Sequence, residues 1–155
     1  MRDFLRLSIN VPDGVPRPPD DMVDTDPVLR RYWEDFGDDA GDVAFAAVGQ
    51  SGQVIGIASA RILGGDNPGY GHLDDETPEV DVSDRPEWRG RRVGTALMRA
   101  LLSRLHEVGY QQTSFSVDKG NAGARRLYER LGFRAVVGDD DQNRTEVIMV
   151  NHLGV

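Results

Sequence analysis

The feature that most constrains the fold is a strand pattern that runs through a glycine-containing turn into a long helical pattern. Residues 79–83, EVDVS, alternate charged and apolar side chains, as a half-buried strand does. From Val93 the apolar residues recur at helical spacing as far as Val108, and Gly109 is placed to end the helix. The turn between the two patterns contains four arginines, although the chain carries a net charge of −8. The sequence therefore predicts a strand–turn–helix unit with locally concentrated positive charge.

The rest of the chain shows short strand patterns and two further helical patterns. Asn121 is placed to cap a helix that Gly132 ends, and Asp26-Pro27 resembles the start of a helix that reaches about Phe36. A proline-rich loop is predicted at 12–21. Strand patterns occupy 4–11, 42–49, 53–63, 112–117, 133–138 and 145–150. Strands that alternate with helices predict an α/β or α+β sheet with helices packed on it.

Length and composition exclude several classes of protein. A chain of 155 residues fits one domain with its own core. The absence of cysteine excludes disulfides, thiolate metal sites and cysteine nucleophiles, and no metal-ligand cluster is evident. The acidic balance argues against nucleic acid and anionic membrane surfaces as partners, and no apolar stretch is long enough to span a bilayer. We expect a cytoplasmic protein.

The arginine-rich turn is suited to hold an anion. Backbone N–H groups at a helix start are unpaired and lie at the positive end of the helix dipole. The surrounding guanidinium groups would add charge-assisted donors for a phosphate; they belong to Arg85, Arg89, Arg91 and Arg92. The order of residues is not the dinucleotide fingerprint G-x-G-x-x-G, and the lysine of a P-loop is missing. A solvated surface cluster remains the alternative interpretation.

Three segments resemble the GNAT superfamily of acyl-CoA-dependent N-acyltransferases. "PEWRGRRVGTAL" resembles its pyrophosphate-binding motif, Q/R-x-x-G-x-G/A; "NAGARRLYERLGF" resembles its second motif; and "DDETPEV" resembles the lead into its fourth strand. Their order and spacing match over about 44–150. The resemblance implies a single domain over 1–155, with a mixed, mostly antiparallel sheet of six to seven strands and helices on both faces.

The resemblance also implies acetyl-CoA as co-substrate, with no metal. It assigns cofactor contacts to Val82, Ser83, Asp84, Arg89, Gly90, Arg91, Arg92, Val93, Gly94, Thr95, Asn121 and Tyr128. Two positions depart from the family pattern. Arg92 replaces the usual glycine, which we expect to be tolerated because a residue at a helix start needs no positive φ. Asp84 stands where an apolar residue is common, at the backbone that pairs with pantetheine in the family.

Candidate acid and base groups follow from the same motifs. The family's tyrosine acid maps to Tyr128, whose phenol could protonate a thiolate; a core role on an amphipathic helix is the alternative. Glu79 and Asp81 lie on one face of their strand, where repulsion and partial burial would raise a pKa toward neutrality. Two solvated acids are equally consistent with that pattern. His72 is a second candidate base, in a loop.

The sequence thus predicts an N-acetyltransferase that acts on a primary amine of a small molecule or peptide, by direct attack in a ternary complex. A non-catalytic CoA-binding module and a structural protein that binds an acidic partner remain alternatives. Exposed edge strands in the last third of the chain make a homodimer an expectation.

Overall fold

A computed structural model describes residues 1–11 and 13–154, so Pro12 of the predicted loop and Val155 lie outside the described residues. Within the described ranges, six strands form one sheet in the order β1-β2-β3-β4-β6-β5. Their bounds are β1 Val43–Val48, β2 Val54–Arg61, β3 Glu79–Asp84, β4 Gln112–Asp118, β5 Arg134–Val137 and β6 Glu146–His152. All neighbouring pairs are antiparallel except β3 and β4, which are parallel. The predicted fold class is confirmed.

Helices cover both faces of the sheet. The first face carries α4, Val93–Glu107, and α5, Ala122–Arg130. The second face carries three short helices, α1 Arg2–Ser8, α2 Met22–Thr25 and α3 Pro27–Arg30. Alternation along β3 separates the two environments: Val80 is buried in the core beneath α4, whereas Glu79, Asp81 and Ser83 point to the face beneath α1 and α3.

The two parallel strands separate soon after they meet. Seven residue pairs join β4 to β6, but in the described chain Glu79 and Ser114 are the one pair that joins β3 to β4. Past this pair, toward their C-terminal ends, the described parts of β3 and β4 are no longer paired with each other. The two strands therefore diverge, and the sheet opens in a V shape. The main core supports this geometry on the α4 face, where Leu97, Leu101 and Leu105 are buried.

The predicted strand at 4–11 is wrong, because Arg2–Ser8 form α1. Apolar and polar residues in this short segment fit both periods, and leucine and arginine favour helices. Packing decides the outcome: Phe4 and Leu5 are buried, and the Ser83 hydroxyl donates to the Phe4 carbonyl at 2.7 Å.

The predicted helix to Phe36 is also too long, because α3 ends at Arg30 and hydrogen-bonded turns follow. Arg61, at the end of β2, explains the difference. Its buried guanidinium donates to the carbonyls of Arg31, Glu34 and Asp35 and pairs with Asp42 at 2.8 Å. Carbonyls that would continue a helix therefore bind a side chain from the sheet instead.

Candidate active site

A cleft of about 480 Å³ occupies the opening between β3 and β4. It is lined by the predicted site residues Glu79, Asp81, Val82, Ser83, Asp84, Arg89, Asn121 and Tyr128. The remaining predicted residues, Gly90 to Thr95, do not line it; they form the turn into α4 and the first helical residues. The structure thus gathers Glu79, Asp81 and Tyr128 in one cavity and leaves most of the phosphate candidates on the adjoining surface.

Glu79 is held in a buried pocket at the apex of the V. It is 4% exposed, and its Oε1 accepts hydrogen bonds from the Tyr32 hydroxyl and the Gly71 N–H, both at 2.7 Å. Its Oε2 accepts none from any residue in the described ranges. Burial raises the pKa of Glu79 to about 7, although the two hydrogen bonds act to lower it. A carboxylate with this pKa can exchange a proton near neutral pH.

Asp81 lies two residues along the same face of β3. Burial raises the pKa of Asp81 to about 6, opposed by the nearby Ser8 hydroxyl and the Val82 N–H. For Glu79 the charge of Asp81 is a minor cause of the raised pKa, so burial contributes more than the repulsion expected from the sequence.

Tyr128 lines the cleft from α5. Its ring is 5% exposed and packs against Phe115, with ring centroids 4.2 Å apart. Its hydroxyl forms no hydrogen bond to any of the residues that the structure describes. Burial, followed by the charges of Asp81 and Asp84, raises the pKa of Tyr128, so the phenol is protonated at neutral pH and is a weaker acid than an exposed tyrosine. Tyr128 is therefore a core residue that also lines the cleft.

The edge of β3 that faces the gap offers backbone donors. The Arg85 N–H donates to the Ile55 carbonyl at 2.8 Å, so alternation directs the N–H groups of Val82 and Asp84 away from β2 and toward the opening. The Ser83 side chain is already engaged with the Phe4 carbonyl. Burial raises the pKa of Asp84, and its carboxylate lies 3.7 Å from Arg89.

The turn into α4 is more strained than the sequence suggested. Gly90 has φ +74°, and Arg92, the N-cap residue, has φ +64°. The expectation that Arg92 needs no positive φ is therefore wrong: the chain reverses at this residue before the helix begins, which is where glycine is favoured. Among the described residues no side chain caps α4, and Ala96 is the first helical residue whose N–H bonds to the turn. The N–H groups of Val93, Gly94 and Thr95 are therefore available to an anion.

The four arginines of this turn have different surroundings. Arg85 donates to the Val54 carbonyl and stacks on Phe4, and Arg91 stacks on Trp88 at 4.9 Å. Arg89 lies beside Asp84, while the side chain of Arg92 is exposed. Stacking thus ties two of the four guanidinium groups to the protein surface.

Asn121 and His72 have local partners. The Asn121 side chain accepts from the Ala124 N–H at 3.1 Å and so caps α5 at the cleft wall. His72 lies 3.7 Å from Asp75 and does not line the cleft.

The cleft residues that the sequence did not predict include Tyr32, Tyr70, Asp118 and Glu146. The Tyr32 hydroxyl accepts from the Tyr70 N–H at 2.9 Å while it donates to Glu79. The Tyr70 hydroxyl donates to Asp26 at 3.0 Å. Glu146, at the start of β6, is opposite Asp118 in the β4–β6 register. These contacts join residues far apart in sequence, so no local pattern could reveal them.

Metal-ligand groups and membrane-spanning helices are both absent from residues 1–11 and 13–154. Within those ranges, His, Asp and Glu side chains nowhere form a group of three that could hold a metal ion. No helix there is long and apolar enough to cross a membrane.

Comparison with known proteins identifies similar sequences. Residues 10–133 match the model described as "Acetyltransferase (GNAT) family". The chain is 34% identical over 129 residues to mycothiol acetyltransferase of Nocardiopsis dassonvillei, which covers 82% of this chain and 38% of that protein. It is 32% identical over 104 residues to L-methionine sulfoximine/L-methionine sulfone acetyltransferase of Pseudomonas aeruginosa, covering 67% and 58%. The chain thus spans about two fifths and about three fifths of the lengths of these two relatives.

Solved structures share the fold. A GCN5-related N-acetyltransferase from Kribbella flavida has a TM-score of 0.64 and 21% identity, covering 98% of this chain and 87% of that one. A phosphinothricin acetyltransferase from Sinorhizobium meliloti, solved in complex with AcCoA, has a TM-score of 0.62 and 21% identity, covering 89% and 71%.

Proposed function

The chain belongs to the acetyltransferase (GNAT) family, and from that membership we propose that it transfers the acetyl group of acetyl-CoA to a primary amine by direct attack in a ternary complex. The observation that carries this proposal is the buried carboxylate of Glu79 in a cleft that also contains the hydroxyl of Tyr128. One group can accept a proton and the other can donate one. The proposal treats 1–155 as a single catalytic domain.

Several features of the chain fit acetyl-CoA. The unpaired N–H groups at the start of α4 suit its diphosphate, with Arg89 and Arg92 as charged donors nearby. The open edge of β3 suits the amide-containing pantetheine arm, because the backbone N–H groups of Val82 and Asp84 point into the opening rather than toward β2. The structure of the Sinorhizobium meliloti relative in complex with AcCoA supports the same choice of co-substrate.

In this scheme Glu79 acts on the amine as the general base. An amine enters as an ammonium ion and must lose a proton before its nitrogen can attack. With a pKa of about 7, Glu79 accepts that proton, directly or through a water molecule. Tyr32 and the Gly71 N–H hold Oε1 in place, so the carboxylate keeps one orientation. Asp81 adds negative charge that attracts the ammonium ion.

Tyr128 and the backbone of β3 act on the thioester of acetyl-CoA. Acetyl-CoA supplies the acetyl thioester; the new bond joins the amine nitrogen to the acetyl carbon, and the carbon–sulfur bond breaks. The N–H groups of Val82 and Asp84 point into the opening, where they would donate to the thioester oxygen as charge develops there. The Tyr128 hydroxyl gives its proton to the departing thiolate. One proton is released overall, because the ammonium ion loses two and the thiolate takes up one.

A thiol-release assay with acetyl-CoA and a panel of small amines, amino acids and peptides tests this proposal. We expect amine-dependent release of CoA that Glu79→Gln and Tyr128→Phe both reduce. Tight CoA binding with no release on any amine would contradict it and would favour the non-catalytic CoA-binding module. Failure of acetyl-CoA to raise the melting temperature would favour a structural partner of acidic proteins.

A homodimer and a cytoplasmic location remain part of the proposal. Exposed apolar side chains on the two edge strands support the dimer: Phe45 and Val48 on β1, and Val136 on β5. Light scattering on the purified chain would decide it.

A further inference from the structure

The N-terminal segment gives the cleft an apolar wall. The side chains of this apolar wall are those of Leu5, Leu7, Ile9, Met22 and Leu29. Leu5 and Leu29 are buried and form a second, small core with Val23. Ile9 and Met22 pack against that core and remain partly exposed. A hydrocarbon group that covers these two side chains removes apolar surface from water, which is favourable.

The apolar wall is adjacent to the two carboxylates at the start of β3. Tyr32 packs against the same small core and donates from its hydroxyl to Glu79 Oε1 at 2.7 Å. At the end of α1, the Ser8 hydroxyl lies close enough to Asp81 to act on its carboxylate. Leu5 and Asp81 also line one small void together. The apolar wall and the two carboxylates therefore share one end of the cleft.

Positive charge is scarce at this end. Among the described lining residues Arg89 is the one cation of the cleft, and it donates to the Leu7 carbonyl at 3.4 Å and lies 3.7 Å from Asp84. Arg31 acts on Glu79 through its charge, but it donates to carbonyls of the loop before β3 and does not line the cleft. A carboxylate on the acceptor would thus lose hydration here without gaining a free cation as partner.

Hydrogen bonds hold the apolar wall in place. Trp33 Nε1 donates to the Val23 carbonyl at 2.9 Å, which ties the turns after α3 to α2. The Asp26 side chain caps the start of α3. The Ser83 hydroxyl donates to the Phe4 carbonyl at 2.7 Å and so fixes α1 to β3. Because the wall is held by contacts within the protein, an apolar group can bind to it without first ordering it.

We infer that the acceptor is a primary amine that carries an apolar group and no carboxylate. Its ammonium group lies beside Glu79 and Asp81, and its hydrocarbon part packs on the apolar wall. This inference rests on the proposed function and names its substrate class. Ile9 and Met22 are then specificity-determining residues, because they are the partly exposed members of the small core that face the cleft.

Three related amines test the inference: isopentylamine; ethylamine, which lacks the branched apolar end; and leucine, which is isopentylamine with a carboxylate on the carbon that bears the amine. Thiol release with acetyl-CoA should give isopentylamine a kcat/KM at least about tenfold higher than either of the others. Calorimetry with each amine in the presence of CoA should give the same order of affinity. Equal values for isopentylamine and ethylamine would overturn the role of the apolar wall, and equal values for isopentylamine and leucine would overturn the exclusion of a carboxylate.

Matched variants separate the apolar wall from a general preference for apolar amines. Met22→Gln keeps the length of the side chain and replaces its apolar end with an amide, and Ile9→Thr keeps the branch at Cβ. Both should lower the ratio of kcat/KM for isopentylamine over ethylamine several-fold. Val15→Thr, at an exposed position outside the cleft, should preserve that ratio. Melting curves show which variants are folded. An unchanged ratio in the folded wall variants, or an equal fall in Val15→Thr, would contradict the inference.

The outcomes distinguish this inference from the proposed function. If ethylamine and leucine are acetylated as well as isopentylamine, the apolar wall does not select the acceptor and the acetyltransferase function stands. If no amine releases thiol, the proposed function is wrong, and calorimetry still shows whether the cleft prefers the apolar amine.

Discussion

The Tyr32 hydroxyl donates a hydrogen bond to Glu79 Oε1 at 2.7 Å, and this contact connects the segment after α3 to the apex of the cleft. The same hydroxyl accepts from the Tyr70 N–H, so Tyr32 links the carboxylate to the loop that covers it. Gly69 packs so closely that a Cβ there would lie 1.9 Å from Oε2. Glu79 is thus fixed by two segments, the one after α3 and the loop that contains Gly69 and Tyr70, and we treat Tyr32 as a positioning residue.

Tyr32→Phe should raise the pKa of Glu79, because the hydrogen bond stabilises its charged form. The base must be ionised to act, so activity falls as the pH drops through that pKa. The acidic limb of the profile of kcat/KM against pH should move upward by about one pH unit. Tyr110→Phe, outside the cleft, is the control. If the acidic limb of the Tyr32→Phe profile does not move, Tyr32 does not position Glu79.

Glu79→Gln should inactivate the protein and stabilise it at the same time. A pKa of about 7 in the folded state, above the ordinary value of 4.5, means that folding favours the protonated carboxyl. This contribution to stability is fully present below pH 4.5 and is lost as the pH rises through 7. At pH 8 the variant should be more stable than the wild type by roughly 2 kcal/mol, with the gain nearly absent at pH 4.

Chemical denaturation at the two pH values measures this difference. Glu76→Gln, at an exposed position of the preceding loop, provides the control. A variant that is less stable than the wild type at pH 8 would show that the ionised carboxylate stabilises the fold, the opposite of what its burial predicts. The rate of acetyl transfer should fall by about 10²-fold or more.

Tyr128→Phe should lower kcat while it preserves the affinity for CoA. The hydroxyl has no hydrogen-bond partner within the described chain, so its removal leaves the packing against Phe115 intact. A loss of about 10²-fold in kcat is expected for removal of a general acid. Stopped-flow turnover and calorimetry with CoA separate the two effects; an unchanged kcat would leave Tyr128 a core residue only.

Arg92→Gly should relieve strain at the start of α4. Arg92 has φ +64°, which costs a residue with a Cβ about 1 kcal/mol relative to glycine. The greater freedom of glycine in the unfolded chain offsets part of that gain. We therefore expect Arg92→Gly to be at least as stable as the wild type, and Arg91→Gly, where φ is negative and Trp88 stacking is lost, to be about 1 kcal/mol less stable. If urea unfolding shows that the two variants lose the same free energy of unfolding, the argument from strain at Arg92 is contradicted.

Local patterns predicted the part of the fold that carries the cofactor motifs. The strand at Glu79, the helix from Val93 and the cap at Asn121 each depend on residues within a few positions of one another. The N-terminal segment was different, because its structure depends on contacts with the sheet. The Phe4 carbonyl accepts a hydrogen bond from Ser83, and the carbonyls after α3 accept hydrogen bonds from Arg61. The presence of α1 and the end of α3 were therefore not evident in the sequence.

The candidate site, like the fold, was only partly predictable from the sequence. Glu79, Asp81 and Tyr128 could be named from motif and face alone, but their environment could not. Tyr32 is 47 residues from the carboxylate it contacts, and Glu146 meets Asp118 through strand pairing. Charge balance in the cleft is a property of the assembled sheet.

Calorimetry with acetyl-CoA on two substitutions at one position tests the central claim most directly. Gly94 lies in the first turn of α4, and the nearest atom to an added Cβ would be Val82 Cγ2 at 3.8 Å, so alanine fits without a clash. The wild type and Gly94→Ala should bind acetyl-CoA alike, and Gly94→Glu should bind at least 100-fold more weakly, by about 2.7 kcal/mol, because a carboxylate then faces the diphosphate. No heat of binding in the wild type, or undiminished binding in Gly94→Glu, would contradict the claim that this helix start holds coenzyme A.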